Sequence, residues 1–162
     1  MKKKFPFKRN VKTAKPENKK VKNAQVTDYD GISFKSKLEV FCYKKLKENN
    51  IPFEYEKHKF TLFEGFKPTF HCYFPDKLGN LELDLTKLRS TTYTPDFVGD
   101  YWVIETKGRS NDLYHVKLKL FRALVESSEE YKKYKLFIEP HNQKQCLQAI
   151  ELIKNYKQLK NK

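Results

Sequence analysis

Two carboxylates and a lysine are spaced in this chain as they would be around a metal ion that acts on a phosphodiester bond. Asp96 follows a proline, Glu105 comes nine residues later, and Lys107 stands two residues beyond Glu105. Carboxylate oxygens are ligands of Mg²⁺ at about 2.1 Å. A lysine one strand pleat further can reach a phosphate oxygen or an attacking water. These residue types therefore predict metal-assisted hydrolysis of a phosphodiester.

A short hairpin would bring these side chains onto one face of a sheet. The surrounding residues are rich in aromatic and β-branched types, and a glycine-aspartate pair at 99–100 suits a two-residue turn that pairs Val98 with Tyr101. Asp96 and Glu105 would then be diagonal neighbours, with Cβ atoms up to roughly 7–8 Å apart. Side chains alternate between the two faces of a strand. The shared face would hold Asp96, Val103, Glu105 and Lys107, with Asp96 opposite Val103, and the other face Trp102, Ile104 and Thr106.

Two similar acid–lysine pairs elsewhere test how selective this pattern is. Glu130 and Lys132 have the same spacing, but no Pro-Asp pair shortly precedes them, which is typical of a solvated surface pair. Asp84 and Lys87 do follow a Pro-Asp pair, but they are three residues apart and would take opposite faces of a strand. Of the three pairs, the one at 105 and 107 meets both conditions.

The composition predicts one domain that binds a polyanion. The chain has 162 residues, which suits a single domain with a substantial core, and 34 Lys and Arg against 20 Asp and Glu give a net charge of +14. So large a surplus points to nucleic acid, although a merely basic, ribosome-like protein would share it. No run approaches the roughly 18 apolar residues of a membrane span, and no signal-peptide core follows the basic start.

Cysteine and histidine positions predict neither a disulfide framework nor a zinc site. Cys42, Cys72 and Cys146 are odd in number and widely separated, which favours reduced, buried thiols in a cytosol-like compartment. The histidines show no paired metal spacing and are more simply structural. They are His58, His71, His115 and His141.

Residues 1–28 are predicted to form a basic arm. They hold ten Lys or Arg and two acids, with little apolar periodicity, which is typical of a segment that is disordered when free. We expect the arm to contact DNA phosphates, with a solubilising tail as the alternative. The expected contacts are Lys2, Lys3, Lys4, Lys8, Arg9 and Lys12. Residues 29–162 would form the catalytic domain.

A helix from about Ser36 to Asn49 carries an acid with two interpretations. Its apolar stripe consists of Leu38, Phe41, Cys42 and Leu46. Ser33 or Ser36 could cap the helix. Ser36 and Glu39 match a capping box, which would make Glu39 structural. Glu39 could equally project toward the metal, and the spacing leaves both interpretations open.

The next segments are a strand and a long connection. A strand over residues 53–60 would place Glu54 and Glu56 on one face, where one of them could supplement the metal site. Residues 61–92 form a connection rich in aromatic side chains, in which a hairpin around the turn at 75–80 is predicted. We interpret this hairpin first as a structural elaboration and second as a flap that faces DNA.

Beyond residue 107 the sequence predicts a helix, a strand and a final helix. Ser110 or Asn111 would cap the first helix, whose buried stripe would be Leu113, Val116, Leu120, Ala123 and Leu124. Residues 134–139 form the strand. The last helix passes through Leu147, Ile150, Ile153 and Tyr156. Basic side chains near the first of these helices are expected to contact DNA: Arg109, Lys117, Lys119 and Arg122.

With this order of elements the chain resembles the PD-(D/E)xK nuclease superfamily, and within it the bacteriophage endonuclease I family, whose members resolve Holliday junctions. The matching segments are 36–39, 53–56, 92–97 and 103–108, of which the last two are the more specific. The resemblance implies a restriction-endonuclease-like α/β fold with an αβββαβ core and a mixed central sheet flanked by helices. The connection at 61–92 looks longer than in the resolvases, and the basic region after residue 140 looks different.

The resemblance also implies roles for the central residues. Asp96 and Glu105 would ligate Mg²⁺, for which Mn²⁺ could substitute, with the backbone carbonyl of Thr106 as a third ligand. Lys107 would orient the attacking water and stabilise the developing charge.

Two further acids correspond to family positions. Glu39 matches the family's helix acid and would join the catalytic site, where a second metal becomes an option. Glu54 matches the family's strand acid and is therefore preferred to Glu56.

The expected function is that of a Mg²⁺-dependent DNA endonuclease, selective for four-way or otherwise branched duplexes and located in the cytoplasm, of the host if the chain is phage-encoded. Two alternatives stay open. One is a non-catalytic DNA-binding or virion-associated module that retains a nuclease fold, and the other is a replication or packaging nuclease that acts on flaps or nicks. A homodimer is a further option that the sequence leaves undecided.

Overall fold

Helices and short strands alternate along the described part of the chain. The computed structural model describes residues 26–107 and 112–160. The helices are α1 (Lys37–Glu48), α2 (Asp112–Ser127) and α3 (Gln143–Lys160). The strands are β1 (Thr27–Tyr29), β2 (Ile32–Phe34), β3 (Glu54–Tyr55), β4 (Phe60–Phe63), β5 (Cys72–Pro75), β6 (Leu81–Asp84), β7 (Thr91–Tyr93), β8 (Phe97–Val98), β9 (Trp102–Ile104) and β10 (Leu136–Ile138). The expected mixture of helices and strands is confirmed.

A four-stranded mixed sheet forms the centre of the fold, with the strands in the order β10-β9-β8-β3. β8 lies antiparallel to both β9 and β3, whereas β10 lies parallel to β9. The parallel pair is connected through α2, as a parallel crossover requires. The hairpin β8–β9 therefore occupies the middle of the sheet, where both of its faces are covered.

Alternation along β9 separates two hydrophobic cores. Trp102 and Ile104 pack in one cluster with residues of α1 and α3, among them Ile150. Val103 belongs to the second cluster, with Phe121 of α2. The opposite faces predicted for these three β9 residues are thus confirmed.

The single strand predicted over residues 53–60 is wrong, because the structure divides it into β3 and β4, which belong to different sheets. Glu56, just after β3, has a φ of 47°, in the left-handed region that side chains rarely adopt. The chain turns away from the central sheet there. Phe53 and Tyr55 nevertheless share a face as predicted, since both contact the ring of Phe97.

The long connection at 61–92 contains a hairpin, as predicted. β5 and β6 pair antiparallel, with Tyr73 opposite Leu83. Asp76 closes the turn by accepting hydrogen bonds of 2.8 Å from the backbone N–H groups of Leu78 and Asn80. The first Pro-Asp pair of the sequence is therefore a structural turn.

Helix α2 buries a stripe that only partly matches the predicted one, since Leu124 packs against the second core and Leu120 is half-buried. Leu113 and Val116 were expected in the core but are 61% and 54% exposed, and Ala123 is also exposed. Tyr114 and Phe121 are buried instead. Apolar residues occur on two phases of this helix, and the phase with the aromatic rings fills the space against β4 and β7.

Helix α3 passes through the four predicted residues and buries two of them. Ile150 and Ile153 are 2% and 3% exposed and Leu147 is 46% exposed, whereas Cys146 and Ala149 are fully buried. Tyr156 stacks on Tyr101 at the edge of this core. Cys42 and Cys146 are free and buried, as expected of structural thiols, and Cys72 is half-buried.

Gly99 lies under the indole ring of Trp102 and sets the hairpin turn. A Cβ built on Gly99 would overlap atoms of that ring, which is 2% exposed. The Gly99 N–H donates to the Trp102 carbonyl at 2.9 Å, so these two residues pair and Asp100 and Tyr101 form the turn. The predicted turn at 99–100 is therefore wrong by one residue.

Replacing Gly99 by alanine is expected to lower the free energy of unfolding by about 1–3 kcal/mol, the usual cost of adding a methyl group to a filled core. Urea or thermal denaturation would measure the change. Asp100→Ala, on the exposed turn residue next to it, is the matched control and should leave stability nearly unchanged. Equal stability of Gly99→Ala and the wild-type protein would contradict the close approach of the indole.

The first described strand lies partly within the predicted basic arm. Thr27 pairs with Phe34, so the last two residues of the 1–28 segment belong to the folded domain. Residues 1–25, with the predicted DNA contacts from Lys2 to Lys12, lie outside the described residues. Among the helices of the described ranges, none is long and apolar enough to cross a membrane.

Candidate active site

Asp96 and Glu105 adjoin the same end of the β8–β9 hairpin, Asp96 just before β8 and Glu105 just after β9. Val98 pairs with Val103, whereas the predicted register paired it with Tyr101. If the pairing of Val98 with Val103 is continued by two residues, Asp96 lies opposite Glu105. Directly opposed residues have Cβ atoms about 4.5–5.5 Å apart. The register differs from the prediction by two residues, which preserves the shared face. The Cβ atoms of an opposed pair are closer than those of the predicted diagonal pair.

Asp96 is held by the backbone and side chain of Thr106. Its Oδ2 accepts hydrogen bonds from the Thr106 N–H at 2.7 Å and from Thr106 Oγ1 at 2.6 Å. Both bonds end on the same oxygen, so Oδ1 takes part in neither. The Asp96 side chain is 8% exposed. Oδ2 is therefore fixed by Thr106, and Oδ1 is engaged by neither of these two bonds. This arrangement suits a carboxylate that ligates a cation through Oδ1.

Glu105 is fixed at both of its oxygens. The Tyr93 hydroxyl donates to Oε2 at 3.0 Å, and the Lys107 ammonium donates to Oε1 at 2.9 Å. Both partners are well covered, with Tyr93 5% exposed and the Lys107 side chain 20% exposed. The structure therefore brings an acid, a second acid and a lysine together, as the sequence predicted.

The backbone after β9 continues beside β10 and orients Thr106. The N–H groups of Glu105 and Lys107 donate to Ile138 and Pro140 at 3.1 and 3.0 Å. The Thr106 N–H lies on the opposite edge, toward Asp96. In extended backbone the N–H and C=O of one residue point to the same side. The Thr106 carbonyl is thus on the edge that the predicted third ligand requires.

The carboxylates of Asp96 and Glu105 repel one another electrostatically. Burial, followed by the charge of Glu105, raises the pKa of Asp96 to about 8. Glu39 adds a smaller contribution in the same direction, and the hydrogen bonds from Thr106 oppose the shift. A buried carboxylate pair of this kind is a common feature of functional sites, and a bound divalent cation would relieve it.

A tyrosine that the sequence interpretation missed covers Lys107. The Lys107 ammonium lies 3.9 Å from the centre of the Tyr114 ring. The Tyr114 hydroxyl donates to Glu139 Oε2, and burial raises the pKa of this phenol. His141 contacts the other oxygen of Glu139 at 2.8 Å. The site therefore extends from the central hairpin to α2 and the end of β10.

Glu39 serves the capping role that the sequence left open. Its backbone N–H donates to Ser36 Oγ at 3.2 Å, and Ser36 Oγ donates to Glu39 Oε1 at 2.8 Å. Oε2 accepts from the Lys35 N–H at 3.0 Å and from the Tyr55 hydroxyl at 2.7 Å. Glu39 is buried and close enough to influence the pKa of Asp96. Its contacts are those of a structural cap beside the site.

Of the two acids at β3, Glu56 lies nearer to Asp96. The Glu56 N–H donates to the Asp96 carbonyl at 2.9 Å, and its carboxylate pairs with Lys35. Glu54, the residue preferred from the resemblance, is opposite Val98 and contacts His58 at 2.5 Å. The structure does not bring Glu54 to the carboxylate pair.

Two of the three predicted DNA contacts on α2 lie on its outer side. Lys119 and Arg122 are exposed and three residues apart, so they are neighbours on the helix surface, and Lys117 is half-buried. Arg109 and the predicted cap residues Ser110 and Asn111 fall in residues 108–111, outside the described part. α2 begins next to the site, because Tyr114 in its first turn touches Lys107.

The donor set suits a hard cation, although it is small. Asp96 and Glu105 supply two carboxylates, and Thr106 supplies a carbonyl on the same edge. Across the residues that the structure covers, no group of three or more His, Cys, Asp or Glu side chains is arranged to hold a metal. Oxygen ligands with several waters are what Mg²⁺ commonly accepts, so the residues present fit one such ion.

Two signals could have identified the missed aromatic residues. Tyr93 lies twelve residues before Glu105, on the strand that precedes the Pro-Asp pair. A tyrosine in a buried strand needs a partner for its hydroxyl. Tyr114 belongs to the aromatic phase of α2, which the leucine pattern concealed.

Comparison with protein-family models, with curated proteins and with solved structures finds no match to this chain.

Proposed function

We propose that this protein is a metal-dependent DNA endonuclease that hydrolyses phosphodiester bonds. One observation carries the proposal: two buried carboxylates, Asp96 just before β8 and Glu105 just after β9, adjoin the same end of this strand pair, with the Lys107 ammonium on the second of them. Buried charges are costly unless they are paired or coordinate a metal. The stability of the fold alone therefore does not explain why two acids lie together beside a lysine.

Asp96, Glu105 and the Thr106 carbonyl are the proposed ligands of Mg²⁺, which Mn²⁺ can replace. When bound, the ion would polarise the scissile phosphate and lower the pKa of a coordinated water. The chain prepares this position in advance. Thr106 fixes one oxygen of Asp96, and Tyr93 fixes one oxygen of Glu105, so neither carboxylate has to be ordered when the substrate arrives.

Lys107 is the proposed group that orients the attacking water and stabilises the charge that develops on the phosphate. It is the cation of the described site nearest to Glu105, at 2.9 Å, and its side chain is largely shielded from solvent. An ammonium in such a place stabilises negative charge more strongly than one in water.

The overall organisation supports assignment to the PD-(D/E)xK nuclease superfamily. The acid just before β8, the acid and lysine after β9, and a mixed sheet of four strands occur in the order that the superfamily pattern requires. The net charge of +14 and the exposed Lys119 and Arg122 of α2 favour DNA as the substrate. Selectivity for branched DNA follows from the resemblance to the endonuclease I family alone.

Incubation of the full chain with supercoiled plasmid tests the activity. We expect nicking in Mg²⁺, none in EDTA, and recovery when Mn²⁺ is added to the chelated sample in excess. A panel of four-way junction, flap, nicked and linear duplex of the same sequence would then rank the substrates. Strong DNA binding without cleavage in either metal would contradict the nuclease and favour a non-catalytic DNA-binding module.

A further inference from the structure

The side chain of Lys107 has a second partner besides Glu105, and this partner is aromatic. The ammonium lies 2.9 Å from Glu105 Oε1 and 3.9 Å from the centre of the Tyr114 ring. We propose, building on the nuclease function above, that Tyr114 is a positioning residue. Its ring holds the Lys107 ammonium at the place where the attacking water and the phosphate must meet it.

Tyr114 itself is rigidly placed. It is 6% exposed and packs in the cluster of α2, β4 and β9 that includes Phe121. Its hydroxyl donates to Glu139 Oε2, and Glu139 is held in turn by His141. The ring therefore cannot turn away from Lys107 without breaking a partly buried hydrogen bond. A rigid ring is a better guide for a flexible lysine than a mobile one.

The Tyr114 ring attracts the ammonium without also binding the metal ion, whereas the Glu105 carboxylate binds both. A carboxylate that ligates a cation shares its charge between that cation and the ammonium, so binding of Mg²⁺ weakens the hold of Glu105 on Lys107. An aromatic face attracts an ammonium but is a poor ligand for a hard divalent ion. Tyr114 would thus keep Lys107 in place when the metal is bound, which is the state in which hydrolysis occurs.

Positioning of this kind has a measurable size. A cation–π contact shielded from water is worth about 2 kcal/mol, and a small displacement of a catalytic group lowers rates steeply. Removal of the ring should therefore reduce kcat about ten- to thirtyfold. DNA affinity should change little, because Tyr114 is buried.

Nuclear magnetic resonance tests the contact without reference to activity. In protein labelled with ¹³C at lysine Cε, the Lys107 signal is identified by its absence from Lys107→Arg. We expect an upfield ring-current shift of this signal in the wild-type protein, with and without Mg²⁺. The shift should persist in Tyr114→Phe and disappear in Tyr114→Leu. An unshifted signal in the wild-type protein would overturn the proposal, whatever the outcome of the plasmid assay.

Plasmid cleavage in Mg²⁺ tests the consequence. Tyr114→Phe, which keeps the ring and loses the hydroxyl, should retain most of kcat, and Tyr114→Leu should lose it as stated above. Tyr134→Leu is the matched control, since Tyr134 is 7% exposed and also carries a lysine over its ring, Lys133 at 5.1 Å. Tyr134→Leu should destabilise the fold about as much as Tyr114→Leu does, without lowering the kcat of the folded protein.

Two kinetic results would refute a positioning role. One is equal loss of kcat in Tyr114→Phe and Tyr114→Leu, which would transfer the effect from the ring to the hydroxyl. The other is equal loss in Tyr134→Leu, which would make it a general effect of core damage. Absence of cleavage by the wild-type protein would refute the nuclease function, and the resonance of Lys107 would still decide whether the ring holds the lysine.

Discussion

Replacing Lys107 by alanine, or Glu105 by alanine, is expected to abolish Mg²⁺-dependent cleavage while leaving DNA binding largely intact. Glu105 is the acid that meets Asp96 across the hairpin, and Lys107 is the cation bound to it. Loss of one preorganised electrostatic group typically lowers kcat by about 10²–10³. Glu105 would also be lost as a metal ligand, so its removal should have the larger effect.

The sequence supplies a matched control for the lysine. Lys132 follows Glu130 at the same spacing, but the structure pairs it with Glu129 on an exposed turn. Lys132→Ala removes the same charge from the same protein and should cleave plasmid like the wild type. Filter binding or electrophoretic mobility shift in EDTA would show that all these variants bind DNA similarly. Full activity of purified, folded Lys107→Ala or Glu105→Ala would refute the site.

The local pattern of the central hairpin was sufficient to predict the faces of Trp102, Val103 and Ile104. Thr106 was predicted on the face opposite Asp96, but its hydroxyl donates to the Asp96 carboxylate. Strand alternation depends on backbone geometry alone, so it survives a register change of two residues. The register itself was not predictable from turn propensity, since glycine-aspartate at 99–100 is a good turn pair. The Trp102 indole covers Gly99 and moves the turn to Asp100 and Tyr101. A contact between side chain and backbone within the hairpin therefore differs from what the turn propensity of the pair indicates.

The acids of α1 and β3 show the same limit. The capping box of Ser36 and Glu39 was readable because its partners are three residues apart. The choice between Glu54 and Glu56 depends on pairing between β3 and β8, which brings together residues that are about forty positions apart in the chain. The strand ends at the left-handed backbone of Glu56, and no glycine at that position indicates this conformation in the sequence.

Helix α2 shows why Tyr114 was missed. Leucine and valine positions give one amphipathic phase, and Tyr114 with Phe121 gives another. Which phase is buried depends on the space between the helix and the strands β4 and β7, and this space is filled by Phe60 and Tyr93, both of which contact Phe121. Periodicity alone carries no information about that space.

Replacing Asp96 by asparagine is expected to stabilise the metal-free protein at pH 8 while removing its response to Mg²⁺. Burial and the charge of Glu105 raise the pKa of Asp96 to about 8, above its ordinary value of 3.8. The folded state therefore binds a proton more tightly than the unfolded state does. Stability is highest below the unfolded pKa and is lost as pH rises from about 4 to about 8. Asparagine carries no charge and can still accept the two hydrogen bonds from Thr106.

Thermal unfolding in EDTA at several pH values would measure this effect. Near pH 4, where Asp96 is protonated when folded, the wild-type protein and Asp96→Asn should have similar midpoints. At pH 8 the variant should unfold at a higher temperature, by about 2–4 °C for each kcal/mol gained in a chain of this size. Comparing the two proteins at each pH cancels the titration of all other groups.

Addition of Mg²⁺ should reverse that order. A cation that binds the folded state stabilises it by mass action, so the wild-type midpoint should rise at pH 8 and rise less at pH 6, where a proton competes for Asp96. Asp96→Asn should not respond at either pH. Asp84→Asn is the control, because the pKa of this residue at the end of β6 is lowered by its bonds to Thr86. That variant should gain no stability at pH 8 and should keep the full response to Mg²⁺. A lower midpoint for Asp96→Asn than for the wild type at pH 8 in EDTA would show that the buried carboxylate contributes to stability, and the case for a site built to hold a cation would fail with it.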